Sequence, residues 1–378
     1  MRSVPSRSIV FLLLAAAAIS ACRKEDDAPP ITSTATPYHL EIPGNLPAME
    51  IPPGNPLTVE GVALGRYLFY EERLSGNNEM SCNTCHTHST SFTDGVATST
   101  GIDGINGTRS AMPLVNLGFL HFYFWDGRSA TLEDQVLQPV RNPIEMHETW
   151  PNVMAKLQAD PAYPPLFQAA FGTSHIDSLL VAKAIAQFMR TLVSANSDYD
   201  KWKRGEGTLS PDALAGYTLF TTEAGPVGEQ VPLFNSSQTV TGAGGADCFH
   251  CHAEGLFTDG QFHNNALDAQ PDDIGRQMVT GFASDRGRFR TPTLRNIVLT
   301  RPYMHDGRFF NLDQVLAHYN DGGHASPSAD PFMKFTDART MELTATQREQ
   351  LKAFLSSLAD YEFVNDPDFL DPGPPIAD

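Results

Sequence analysis

Apolar residues recur at three- and four-residue intervals in several separated stretches of the chain, which is the helical period. Val181, Ile185, Phe188 and Leu192 fall on one face, as do Leu351, Phe354, Leu355 and Leu358. The spacing over 57–71 predicts another helix, with Pro56 near its start, where a missing N–H is tolerated. Thr346-Gln347-Arg348-Glu349 predicts the start of the last helix. These stripes read as core rather than as ligand contacts. No set of alternating apolar and polar runs points to strands, so the pattern predicts a mainly α fold. The 28 prolines and 29 glycines add long connecting segments to that picture.

One apolar run is of a different kind. Ile9 to Ile19 is continuous and follows Arg2 and Arg7. It is too short for a permanent membrane span and reads as a secretory signal. It ends at Ile19-Ser20-Ala21-Cys22, which resembles a bacterial lipobox. The expectation is removal of residues 1–21, export to the periplasm, and a lipid on Cys22 that holds the chain to a membrane. The other reading is an ordinary signal peptide with an incidental cysteine. Residues 22–43, polar and rich in Pro and Thr, read as a tether. At 378 residues the chain exceeds one ordinary core and suggests about two domains. Its 44 acids against 26 Lys and Arg give a formal charge of −18. That argues against a general nucleic-acid binder and would suit a basic protein partner.

Apart from Cys22, the cysteines form two pairs, each followed directly by histidine: Cys82-Asn83-Thr84-Cys85-His86 and Cys248-Phe249-His250-Cys251-His252. C-x-x-C-H is the attachment motif of c-type haem. Two thiols on one helical turn reach the two vinyl groups, and the next histidine ligates the iron. A zinc site or a pair of disulfides are the other readings. Zinc would need four ligands from converging segments, and the two motifs stand far apart in the chain. Two covalent haems are expected, with His86 and His252 as proximal ligands.

The segments after the two motifs repeat one another. Phe92-Thr93-Asp94-Gly95 returns as Phe257-Thr258-Asp259-Gly260, and the run Arg109 to Asn116 is echoed by Arg290 to Asn296. Ten residues after each asparagine comes Asp-Gly-Arg, at Asp126 and Asp306. Then the stretch Leu132 to Leu137 is echoed by Leu312 to Leu316. The expectation is two cytochrome c-like haem domains related by internal duplication, with long loops. The N-terminal one covers 44–205 and the C-terminal one 206–378, divided near KRGEGTLS (203–210) before a helix starting at Pro211.

From about Gly44 to Tyr361 the chain resembles the bacterial dihaem cytochrome c peroxidase family, which includes the MauG-type enzymes. The resemblance is carried by LSGNNEMSCNTCH, FWDGR, the segment from Gln135 to Glu145, and RTPTLRNIVLTRPYMHDGR. It implies an N-terminal haem that binds hydrogen peroxide and a six-coordinate C-terminal haem that passes electrons. Gln135, Pro139 and Glu145 match the family's distal pocket. Glu145 is the implied acid–base group, Gln135 a group that holds the peroxide or its water, and Pro139 a residue that keeps strong ligands off the iron. Trp125 stands where the family places an aromatic ring between the haems.

Many family peroxidases carry a histidine after the first motif that caps the iron until reduction. Residues 89–120 contain none, His88 is badly placed, and His121 lies beyond the loop. The first haem is therefore expected to be open without reductive activation. The sixth ligand of the second haem is Tyr319 by family spacing from His305, as in MauG-type enzymes, with Met304 and His318 as the alternatives. A phenolate lowers the iron potential and a thioether raises it. Arg286, Arg288, Arg290 and Arg295 are candidates to pair with haem propionates. The family binds calcium between its domains. Thr300 and Pro302 match two carbonyl positions, but Ser110 stands where an asparagine is expected.

Together these imply a peroxidase drawing electrons from a small cytochrome c or cupredoxin through the C-terminal haem. The alternatives are a MauG-type oxidase acting on a protein residue and a non-enzymatic dihaem electron carrier. Oligomeric state stays open, a dimer included.

Overall fold

The computed structural model describes residues 35–336 and 340–376, which form one compact unit. The signal run, Cys22 and the first part of the tether lie outside the described residues. The expected helical fold is present. In chain order come α1 (Val59–Phe69), α2 (Cys82–Cys85), α3 (Leu132–Arg141), α4 (Trp150–Ala159), α5 (Tyr163–Phe171) and α6 (Ser178–Thr191). Next are α7 (Asp198–Lys203), α8 (Pro211–Phe220), α9 (Gln277–Thr280), α10 (Leu312–Asn320) and α11 (Ala345–Ser356). Among the described residues the strands form two antiparallel pairs. Gln230–Pro232 (β1) pairs with Thr239–Thr241 (β2), and Phe262–His263 (β3) with Phe289–Arg290 (β4). No described helix is long and apolar enough to cross a membrane.

Side-chain caps set the helix starts. Thr58 accepts from the Gly61 N–H at 3.0 Å, so α1 begins two residues after the expected Leu57. Thr344 accepts from the Gln347 N–H at 3.2 Å while Gln347 Oε1 accepts from the Thr344 N–H at 2.9 Å. This capping box starts α11 at Ala345, one residue before the expected Thr346. Pro211 opens α8 behind the Ser210 cap, as expected.

Two helix pairs organise the two cores. Helix α1 lies against α6, and α8 against α11. Each pair has a glycine at its closest approach. A Cβ on Gly65 would collide with the Ala184 carbonyl and Phe188 Cβ; one on Gly216 would collide with the Gln350 carbonyl and Phe354 Cβ. The first core gathers Leu64, Leu68, Phe69, Phe92 and Phe188. The second gathers Phe220, Phe257, Leu351 and Phe354.

The chain crosses between the cores at both ends. Tyr199, on α7, packs in the second core, while Phe363 and Val364, near the C-terminus, pack in the first. Asp200 and Arg295, both with fully buried side chains, close a two-pronged ion pair at 2.8 and 2.9 Å. Arg295 is thereby held by a carboxylate of this chain, and the same Asp200 also caps α7 through Ser197.

Candidate haem sites and the strip between them

The two C-x-x-C-H segments adopt related turns. Cys82–Cys85 is one turn of α-helix and Cys248–His250 one turn of 3₁₀-helix. In both, the N–H of the final histidine donates to the carbonyl of the first cysteine at 3.0 Å. The repeated Phe-Thr-Asp-Gly then has a structural reason. Phe92 and Phe257 are fully buried in left-handed backbone, φ 60° and 53°. That conformation turns their carbonyls to the histidine rings. His86 Nδ1 lies 2.9 Å from Phe92 O, and His252 Nδ1 lies 3.1 Å from Phe257 O. An Nδ1–H bonded there leaves Nε2 as the free donor atom. The threonines fix the next turn: Thr93 donates to Ala111 O at 3.0 Å and Thr258 to Thr291 O at 2.7 Å.

Burial sets the protonation of these groups. It lowers the His86 imidazolium pKa, offset in part by the Phe92 and Met112 carbonyls. It takes His252 down to about 4. Both rings are therefore neutral near pH 7, as a metal ligand must be. Burial pushes the Cys82 and Cys248 thiols up to about 12, and all four cysteines of the motifs are free thiols. Beside the second motif lies a cavity of about 240 Å³, lined by Cys248, Cys251, His252, Met304 and Tyr319. Two free thiols and one neutral imidazole at each motif, with an apolar cavity at the second, fit two covalently attached haems.

On the first-motif side, α3 carries Gln135 and, in its interior, Pro139. A proline there removes the N–H that would bond the Gln135 carbonyl. The helix stops at Asn142, which folds the next turn. Ile144 N–H donates to Asn142 Oδ1, and Asn142 Nδ2 donates to Glu145 Oε1 at 2.7 Å. The Ile102 N–H donates to the Glu145 carbonyl at 3.0 Å. Burial raises the Glu145 carboxyl above its ordinary range, with Asn142 and Arg128 opposing. Burial raises the Cys85 thiol too, with the charges of Asp94 and Glu145 adding to it. Glu145 is therefore electrostatically coupled to the first motif. Asn142 was not singled out from the sequence, although its place before a proline at a helix end could have marked it.

The histidines that could have capped this site are engaged elsewhere or lie outside. His88 is buried, with Nε2 2.8 Å from the Phe363 carbonyl, and His121 is exposed.

Trp125 is buried in the FWDGR turn, which is clamped to the second half of the chain. Its Nε1 donates to Ser110 O at 2.9 Å, and its carbonyl accepts from the Arg290 N–H at 2.7 Å. Arg109 joins Asp126 and Asp273 at 2.6 and 2.7 Å. Trp125 also lines the cavity. Ser110 Oγ donates to the Met304 carbonyl at 3.0 Å, while Thr300 and Pro302 line the same cavity.

The candidate sixth ligands meet at one side chain that sequence reasoning missed. Asn265 Nδ2 lies 3.3 Å from Tyr319 Oη and 3.3 Å from Met304 Sδ. Its backbone carbonyl holds His318 Nε2 at 3.0 Å. Tyr319 and Met304 thus both face the cavity, and His318 is engaged by backbone. Burial pushes the Tyr319 hydroxyl up to about 12, with the Asn265 hydrogen bond opposing. His263, also missed, lies between Asp259 at 2.8 Å and Asp330 at 2.6 Å. Burial alone would lower its pKa, but these carboxylates hold it up near 12, so it is a cation beside Cys251.

Residues 59–208 match the family model of the di-haem cytochrome c peroxidases. The chain is 37% identical over 311 residues to methylamine utilization protein MauG of Methylorubrum extorquens, covering 81% of this chain and 80% of that one. It is 34% identical over 281 residues to cytochrome c551 peroxidase of Nitrosomonas europaea, covering 72% and 76%. A solved MauG-like protein associated with microbial copper homeostasis superposes with a TM-score of 0.77 at 32% identity, covering 89% of this chain and 99% of that one. The dihaem peroxidase BthA from Burkholderia thailandensis shares the fold, with a TM-score of 0.67 at 20% identity over 89% and 95% of the two chains.

Proposed function

We propose that this chain, which belongs to the di-haem cytochrome c peroxidase family and is a peroxidase-type oxidoreductase, reduces hydrogen peroxide to two waters at its first haem site. The electrons come from a small redox protein, a cytochrome c or a cupredoxin, by way of the second site. The observation that carries the reading is Glu145, a carboxyl raised by burial and clamped by Asn142 beside the first attachment motif.

His86 and His252, with Nδ1 engaged by backbone carbonyls, would hold the two irons through Nε2, and the four cysteines would form the thioethers. When bound, the haems supply an open metal position for peroxide and a store of electrons. The chain's own part is proton handling. Asn142 occupies Glu145 Oε1, which leaves Oε2 as the atom that would take a proton from one peroxide oxygen. The same atom would return it to the other oxygen, which leaves as water. Two electrons and two protons complete the second water. A raised carboxyl suits both halves of this transfer, because its two protonation states lie closer in energy. Gln135 orients the peroxide. Pro139 presents no side-chain donor that could compete for the metal. Trp125, fixed through Nε1 and its carbonyl, is the relay between the sites.

A second reading, MauG-type oxidation of a protein residue, is favoured by Tyr319 in the cavity of the second site. Phenolate ligation stabilises oxidised iron and would make the second site a reluctant electron entry. Turnover of reduced cytochrome c with peroxide tests between them. Sustained oxidation supports the peroxidase, and peroxide consumption with negligible cytochrome oxidation supports the MauG-type reading.

The reading extends to architecture and location. The paired glycines, repeated left-handed phenylalanines and matched histidine turns support two haem domains, 44–205 and 206–378, arisen by duplication. The leader supports export to the periplasm with a lipid on Cys22 and 22–43 as tether. In this reading calcium is a candidate between the domains, where the Ser110 hydroxyl, which donates to the Met304 carbonyl, takes the place of the family's asparagine.

A further inference from the structure

Of the four arginines in the 286–295 run, three have partners in the chain. Arg295 pairs with Asp200. Arg286 is exposed and donates to the Pro271 carbonyl at 2.8 Å. Arg288, half-buried and with its Nε likewise unbonded among the described residues, reaches Asp285 at 4.0 Å. Arg290 differs. It is only 4% exposed, and among the described residues its Nε has no hydrogen-bond partner. Its Nη2 reaches only the thioether of Met112, at 3.4 Å, and no described carboxylate lies within ion-pair distance of it. Burial lowers its pKa to about 10, which still leaves it a cation at neutral pH.

A guanidinium in this state is costly. It has lost its water and gained no anion. It is also held rigidly: Arg290 sits in β4, paired with Phe262 of β3, and its N–H donates to Trp125 O at 2.7 Å. Its side chain lines the cavity that holds Cys251, His252 and Tyr319. The missing partner must therefore be an anion that enters this cavity. A haem brings two carboxylates of its own, and guanidinium binds carboxylate with two parallel hydrogen bonds.

We infer that Arg290 is the anion-binding residue of the second haem site, where its guanidinium receives a carboxylate of the haem attached at Cys248 and Cys251. The inference rests on the dihaem reading. Arg290 is a positioning residue: it orients the haem and places a positive charge between the two sites, next to Met112 and Trp125. A cation there stabilises the added electron, so Arg290 raises the potential of the second haem.

The test is a spectroscopic redox titration of the intact dihaem protein with Arg290→Gln, Arg290→Lys and the control Arg286→Gln. Arg290→Gln should shift the second haem toward its oxidised form by tenfold or more in its redox equilibrium, which is 59 mV for one electron. Arg290→Lys, which keeps the charge, should stay within threefold, and Arg286→Gln should not differ from wild type. A second-haem potential unchanged in Arg290→Gln, or a shift confined to the first haem, would overturn the assignment. Should the glutamine variant fail to mature, wild-type protein decides. Its resonance Raman propionate bending band should report a hydrogen-bonded carboxylate on the second haem, and a free-carboxylate frequency would overturn the inference. A mass showing fewer than two haems would instead count against the dihaem reading itself.

Discussion

Glu145→Gln is the substitution that isolates proton transfer from everything else at the first site. The amide keeps an oxygen where Asn142 Nδ2 now donates at 2.7 Å, so the turn after α3 and the side-chain direction survive. The variant loses an atom that can take and return a proton. General acid–base catalysis contributes about 10²–10⁴-fold, so turnover with peroxide should fall by about that factor. At about 1.4 kcal/mol per tenfold this is about 3–5.5 kcal/mol of barrier.

Stability should move the other way or not at all. The folded-state carboxyl is raised, so its protonated form is favoured by folding. Stability from this group is greatest below the unfolded-state value and is lost as pH rises through the folded-state one. Above that window the ionised carboxylate is a burden, which glutamine removes. The assay pairs stopped-flow peroxide turnover with a melting curve and a haem spectrum. Near wild-type turnover would refute the reasoning outright. A slow variant with an altered haem spectrum or a lower melting temperature would also refute it, because the loss would then be structural.

The denatured protein should be heavier than its polypeptide by two haems, and haem that acidified solvent extracts would defeat covalent attachment at Cys82, Cys85, Cys248 and Cys251. With His88 bound to the Phe363 carbonyl and His121 exposed, the oxidised protein should show a high-spin haem and react with peroxide without pre-reduction; an all-low-spin electron paramagnetic resonance spectrum would contradict this. Tyr319→Met should raise the second haem's potential and speed cytochrome-dependent turnover, whereas a spectrum indifferent to that change but altered by Met304→Ala would assign the ligand to Met304. Arg295→Met should destabilise the fold by about 3–5 kcal/mol by leaving Asp200 buried and unpaired; a change under about 1 kcal/mol in denaturant unfolding would mean that water reaches the pair.

The attachment motifs, the helical stripes and the repeated Phe-Thr-Asp-Gly were legible in the chain because each acts over a few residues. Two thiols and a histidine must share a turn, whatever lies around them. A core face must recur at the helical period. The first tetrapeptide begins six residues after its histidine and the second five, since a left-handed phenylalanine must return its carbonyl to the ring. Capping shifted two helix starts by a residue or two, which is a local effect as well. Other features depend on segments far apart in sequence. Asn265 stands between Met304 and Tyr319 only because the chain after β3 folds back over α10. Arg290 is recognisable as unpaired only once Arg295 is seen to hold Asp200. The same run of four arginines looks like surface charge when read as letters. Hydrogen-bond partners and burial are properties of the packed molecule, so tertiary structure alone distinguished the one buried cation in that run that lacks an anion among the described residues.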